Sequence, residues 1–153
     1  MYHICLVFII IEKSMMKNKL DIKIEDFPFH HKLKTRWRDL DAFRHVNNAT
    51  FLTYIEDARI LFFKRWGINL KEKSLIVASV KIDYVSQLLH PSNIIIAQKV
   101  SRIGTKSFDI FSAIFNEEDS GLVCISTVTS VCYDFIKEKT VPVFNEIKKD
   151  LKE

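Results

Sequence analysis

Two carboxylates, a histidine and two amides fall close together in the run Trp37-Arg38-Asp39-Leu40-Asp41-Ala42-Phe43-Arg44-His45-Val46-Asn47-Asn48, and a further acid, Glu56, follows shortly after. What such a set can do depends on the backbone that carries it. If a helix begins at the asparagines, its first turn presents N–H groups with no intrahelical acceptor and the positive end of a dipole, and both favour a developing oxyanion. A carboxylate held beside them can take a proton from water, orient that water, or attack a carbonyl directly. These parts suffice for hydrolysis of an activated acyl group, and the reaction calls for neither a metal nor an organic cofactor. The same residues also fit quieter roles. Asp39 and Asp41 suit capping and turn formation, and His45 can satisfy a backbone carbonyl. Glu56 can pair with Arg59 along a helix, worth only about 0.2–0.5 kcal/mol.

The elements around the cluster decide whether it can be positioned. Residues 29–38 alternate, with Leu33, Thr35 and Trp37 against Lys32, Lys34 and Arg36, which predicts a first strand. From 46 to 66 the period becomes helical. Leu52, Ile55, Arg59 and Phe62 share one side, and Phe51, Tyr54, Ala58 and Leu61 the neighbouring one. So wide an apolar face predicts a helix wrapped by the rest of the chain. Asn47 and Asn48 are good caps for its start and Gly67 a good stop. The cluster therefore sits at a strand-to-helix junction.

Everything downstream reads as strand. Residues 75–88 alternate, with Ile76, Ala78, Val80, Ile82 and Tyr84 on one face and Ser79, Lys81 and Asp83 on the other. His90-Pro91-Ser92-Asn93 turns the chain, and 93–103 with 106–116 form a hairpin around Gly104-Thr105. Residues 122–135 follow, with Val123, Ile125, Val131, Tyr133 and Phe135 on one side. Pro142 opens a closing helix carrying Val143, Ile147 and Leu151. Successive strands joined by short turns pair antiparallel, so one curved sheet can wrap the long helix in an α+β domain. A single sheet with one helix leaves its outer face bare, and a second copy of the chain is expected to cover it or pair with an edge strand.

Composition narrows the classes. A chain of 153 residues fits one domain, and 48% hydrophobic with 27% charged residues is that of a globular protein with a real core. Twelve Phe against three Gly and three Pro predict long elements with few tight turns. The net charge of +4 is spread along the chain, without the basic stripe or aromatic interleaving that nucleic acid demands. Cys5, Cys124 and Cys132 lack metal-ligand spacing, and the last two read as small core residues, which suits a reducing, cytoplasmic setting. The apolar run over 4–11 is far shorter than the roughly 20 residues that span a bilayer and lacks the flanks of a signal peptide. Met15-Met16-Lys17 looks like the true start, so residues 1–14 are expected to be a non-native extension, with a membrane-surface anchor as the alternative. Residues 15–153 form the domain.

The run at 37–48 resembles the hotdog-fold thioesterases of the 4-hydroxybenzoyl-CoA thioesterase family, whose pattern reads roughly Asp-x-Asp-x-x-Gly-His-Val-Asn-Asn. It is also similar to the acyl-acyl carrier protein thioesterases, which carry a His-Val-Asn-Asn run. The resemblance implies a hotdog fold, an antiparallel sheet around one long helix, and hydrolysis of an acyl-CoA by a homodimer or dimer of dimers. Hydrolysis of acyl-acyl carrier protein, or acyl-CoA binding without turnover, is the alternative. By that resemblance Asp41 matches the acid acting as base or nucleophile, His45 a histidine with a catalytic or substrate-contacting role, and Glu56 a helix acid that some relatives employ. Asn47 and Asn48 match residues shaping the helix start beside the substrate. Two departures stand out. The Gly before His is Arg44, which implies either a relaxed turn or a changed pocket wall. Where the carrier-protein enzymes have an Asn two residues after the acid, this chain has Phe43, which favours CoA as the carrier. Arg102, Lys106 and Ser107 in the basic hairpin, together with Lys81, are candidates for the CoA phosphates, with solvated surface charge as the plain alternative. Phe51, Tyr54 and Tyr84 are candidates to line an acyl pocket or simply to pack the core.

Overall fold

The computed structural model describes residues 21–151, so the expectation about residues 1–14 lies outside the described residues. A 3-10 turn at Ile24–Asp26 leads into β1 (Phe29–Lys34), and a second, Trp37–Asp39, precedes α1 (Asn48–Phe63), which a third, Lys64–Trp66, prolongs. Then come β2 (Ser74–Tyr84), β3 (Asn93–Ile103), β4 (Ser107–Asn116), β5 (Leu122–Asp134), β6 (Lys139–Thr140) and α2 (Asn145–Asp150). One antiparallel sheet runs in the order β1-β3-β4-β5-β2, with β6 against β5. Curled around α1, it is the expected hotdog fold.

α1 holds the fold together through two apolar clusters. Phe51, Tyr54, Ile55 and Ala58 pack against Ile94, Ile96, Ile114, Cys124 and Val128. Phe62 and Trp66 pack against Val100, Phe108, Ile110 and Cys132. Each large side chain so buried contributes roughly 1.5–3 kcal/mol. Gly67, at φ 62, takes the left-handed stop that its lack of a Cβ permits. The two described cysteines, Cys124 and Cys132, are free and buried.

Several expectations need correction. The closing helix starts at Asn145 rather than at Pro142, β2 ends at Tyr84 short of the 88 expected, and it pairs with β5 rather than with β3, the next strand in the chain. The first strand ends at Lys34, because the Asp39 carboxylate accepts from the Arg36 N–H (2.7 Å) and closes a 3-10 turn instead. In β2 a bulge between Val77 and Ser79 shifts the register, so the inward set is Leu75 and Val77, then Val80, Ile82 and Tyr84; Ile76 and Ala78 do not belong to it. On β5 the side facing α1 is the small set Cys124, Ser126, Val128, Ser130 and Cys132, which is buried, while most of the apolar odd-numbered set is half-exposed. The outer face is also not bare: Phe27 packs there with Ala97, Ala113 and Phe115, its ring stacked on Phe111 at 5.8 Å. β2 is an open part of the sheet: its free edge pairs with no strand among the described residues, and its inward Val77 and Val80 are exposed.

Candidate active site

The junction is braced from below. Asp39 is buried, and its carboxylate accepts from the Arg36 Nε (3.2 Å) and from the Tyr54 phenol (2.5 Å). Its carbonyl accepts from the Asn47 N–H at 2.8 Å, tying the loop to the helix start. Burial alone would raise the Asp39 pKa, but the hydrogen bonds from Tyr54 and Arg36 and the guanidinium charge outweigh it and hold the carboxyl below the usual range. The Tyr54 phenol moves the other way, pushed up by burial and by the adjacent carboxylate.

Asp41 closes the next turn. Its N–H donates to the His45 carbonyl (2.8 Å), and its Oδ1 accepts from the Phe43 N–H (2.8 Å) and the His45 N–H (3.2 Å). No donor among the described residues reaches its Oδ2. The carboxylate is thus a turn former through one oxygen and unengaged through the other. Arg44 stands in this turn at φ 64, so the backbone keeps the left-handed geometry that a glycine would take; of the two alternatives, the relaxed turn does not occur. That conformation costs a residue with a Cβ roughly 1–2 kcal/mol, part of which a glycine would return as freedom in the unfolded chain. Arg44→Gly is therefore expected to raise stability by about 0.5–1 kcal/mol in a denaturant titration.

The helix start supplies the second component. The Asn47 side chain caps the Ala49 N–H at 2.9 Å, and the Asn47 carbonyl accepts from the Thr50 N–H. The Asn48 N–H finds no acceptor among the described residues. The Asn48 carbonyl accepts from the Tyr84 phenol at 2.8 Å, which fastens β2 to the helix, and the Tyr84 ring meets Phe51 edge-on at 5.5 Å. Asp41, His45, Asn48, Phe51 and Tyr84 line one pocket of about 220 Å³, whose floor is the segment that follows β2. His45 bridges to Leu89, and Val46 donates to the Leu88 carbonyl, so that floor is stitched to the loop.

Not every candidate joins this pocket. Tyr54 is fully buried on Asp39 and lines none of the cavities described. Glu56 lies further along α1, roughly 12 Å from Asn48 by helical rise, paired with Arg59 at 3.4 Å. The basic hairpin lies at the opposite end of the sheet. Ser107 pairs with Val131 and Tyr84 with Cys124, positions roughly 23 Å apart along β5. There Arg102 makes a two-pronged ion pair with Asp109 (2.6 and 2.9 Å) and Lys106 donates to Thr140 (3.1 Å), so within one protomer none of the three faces Asp41. Lys81 is paired with Asp83. The residues that sequence reasoning passed over are Val85, Ser86 and Gln87 on the pocket floor; no local signal marked them, because only the return of the chain after β2 brings them there.

A family model described as the thioesterase-like superfamily matches residues 35–151. The chain is 33% identical over 86 residues to the uncharacterized protein YsmA of Bacillus subtilis, a match covering 55% of this chain and only 58% of that relative's length. It is 24% identical over 126 residues to the long-chain acyl-CoA thioesterase FadM of Escherichia coli, covering 79% of this chain and 95% of FadM. Among solved structures, it is similar to a thioesterase from Thermus thermophilus complexed with coenzyme A and Zn, with 26% identity, a TM-score of 0.72, and coverage of 83% of this chain and 99% of that one.

Proposed function

The chain belongs to the thioesterase-like superfamily, and on that premise we propose that it hydrolyses acyl-CoA thioesters with Asp41 as the base. One observation carries this reading: Asp41, with a carboxylate oxygen that receives no hydrogen bond, and Asn48, with a helix-start N–H that has no acceptor among the described residues, line the same pocket. In the proposed reaction the Asp41 Oδ2 takes a proton from a water whose oxygen bonds to the thioester carbon. The carbonyl oxygen, now bearing the charge, is held by the Asn48 N–H and the dipole of α1. Collapse breaks the C–S bond, and the departing thiolate takes up the proton, giving free acid and CoA thiol. His45 stands in the pocket wall, with its N–H on Asp41 Oδ1 keeping that oxygen occupied.

A second copy of the chain completes the site in this reading. The free edge of β2 offers a row of unpaired backbone groups, and the inward side chains beside it are apolar and exposed, the combination that strand pairing between copies removes. Light scattering on the purified chain is expected to give twice the protomer mass or a multiple of that. The test of the activity is free-thiol release from a panel of acyl-CoAs, run beside acyl-acyl carrier protein of matched chain length. Turnover of the CoA esters is expected; tight binding with no thiol released would overturn it.

A further inference from the structure

Within one protomer the flank of α1 facing β2 stays open, and two more cavities lie along it, beside the edge on which the second copy is expected. One, about 250 Å³, is lined by Leu52, Ile55, Glu56, Arg59, Val77 and Val80. The next, about 440 Å³, is lined by Arg59, Ile60, Phe63, Ile68, Leu75 and Val77, with Glu56 and Lys64 as its other polar neighbours. The two further cavities share Glu56, Arg59 and Val77 and so adjoin each other as one groove, and Leu52 and Val80 carry its lining along α1 and β2 towards Phe51 and Tyr84 of the Asp41 pocket. Such a groove suits an acyl chain, except at one position.

Arg59 lines both of the further cavities, and its side chain is only 9% exposed. Among the described residues its Nε has no acceptor, and its one hydrogen bond is a long contact of 3.4 Å from Nη2 to Glu56, whose own side chain is 58% exposed. A buried Nε with no acceptor is costly, because its lost hydration is not replaced; the guanidinium otherwise lies over the Phe63 ring at 5.9 Å. A planar fork of open donors has a specific complement, a carboxylate bound through two parallel hydrogen bonds. Since Arg59 reaches Glu56, its head group stands roughly 12 Å from the helix start.

We propose that the acyl group of the substrate ends in a carboxylate and that Arg59 receives it, Glu56 swinging outward to give way. The inference rests on the thioesterase reading for its catalytic end. It makes the preferred substrates monothioesters of dicarboxylic acids, of a length that reaches from Asp41 along α1 to Arg59.

The experiment compares pairs of acyl-CoAs with the same dicarboxylic chain, one ending in the free carboxylate and the other in its methyl ester. The wild-type chain is expected to favour the carboxylate by about 10- to 100-fold in kcat/KM, mostly through KM, the worth of a charge-assisted hydrogen bond. In Arg59→Met the ratio is expected to fall to within about twofold of one, and Arg59→Lys, which keeps the charge without the fork, to lie between. A wild-type ratio near one overturns the proposal. So does an equal loss on both substrates in Arg59→Met, or dissociation of the assembly by light scattering, since either makes Arg59 a structural residue. Should no CoA ester turn over at all, the catalytic reading fails separately. Calorimetry with the non-hydrolysable thioether analogues then decides the role of Arg59 by whether the carboxylate form binds more tightly.

Discussion

Asp41→Asn is expected to lower acyl-CoA turnover by about 10²–10⁴-fold, the usual worth of a positioned general base, while leaving the fold intact. The substitution separates the two roles that one side chain holds. Oδ1 forms the turn, accepting from the Phe43 and His45 N–H groups. An asparagine keeps an oxygen there and replaces only the second, unengaged oxygen with a group that cannot take a proton. Stability by thermal melting should therefore match the wild-type protein while thiol release collapses. Asp41→Ala removes the turn bonds as well, and is expected to lose stability on top of activity. Wild-type rates in the asparagine variant would remove Asp41 from the chemistry and leave it as a turn former.

Tyr54→Phe is expected to cost about 1.5–3 kcal/mol, the contribution of a hydrogen bond to a charged group. The phenol donates to the Asp39 carboxylate in the core beneath the loop, and no water can replace it without reopening that core. The loss should also appear in the pH dependence. The folded Asp39 carboxyl binds its proton more weakly than in the unfolded chain, where the ordinary value is about 3.9. Its stabilisation is therefore fully present above that value and disappears as the pH falls through the lower, folded one. Removing the Tyr54 donor weakens the preference for the charged form, so the folded pKa rises towards the unfolded one and the acid limb of the stability curve moves to higher pH. Denaturant titrations of both proteins between neutral pH and about pH 3 check the shift. An unchanged acid limb would mean that Arg36 alone holds the carboxylate.

Much of the site was legible because it is local. The stretch from Asp39 to Asn48 forms its turn, its cap and its helix start from bonds between near neighbours, such as Asn47 to Ala49 and Asp41 to His45. The helical period predicted α1, whose observed span Asn48–Phe63 lies within the 46–66 expected, and the alternation predicted the long strands; their order was not legible, since β2 and β3, successive and joined by a turn, pair with β5 and β1 instead of with each other. Where strand-level reading failed, distant pairing was responsible. The bulge near Ala78 comes from the register of β2 on β5, which no residue of β2 announces by itself.

From its sequence alone this chain determined its elements, the junction that carries Asp41, and the fold that follows from burying one wide helix face under a sheet, since each depends on spacing and nearest-neighbour bonds. Only the tertiary structure decided which flank of the helix stays open and what lies along it. It left Arg59 buried with its Nε unpaired, put the basic hairpin at the far end of the sheet, and folded the segment after β2 into the pocket floor. The physical reason is that burial and charge pairing belong to contacts between segments far apart in the chain, and their outcome depends on the curl and register of the whole sheet.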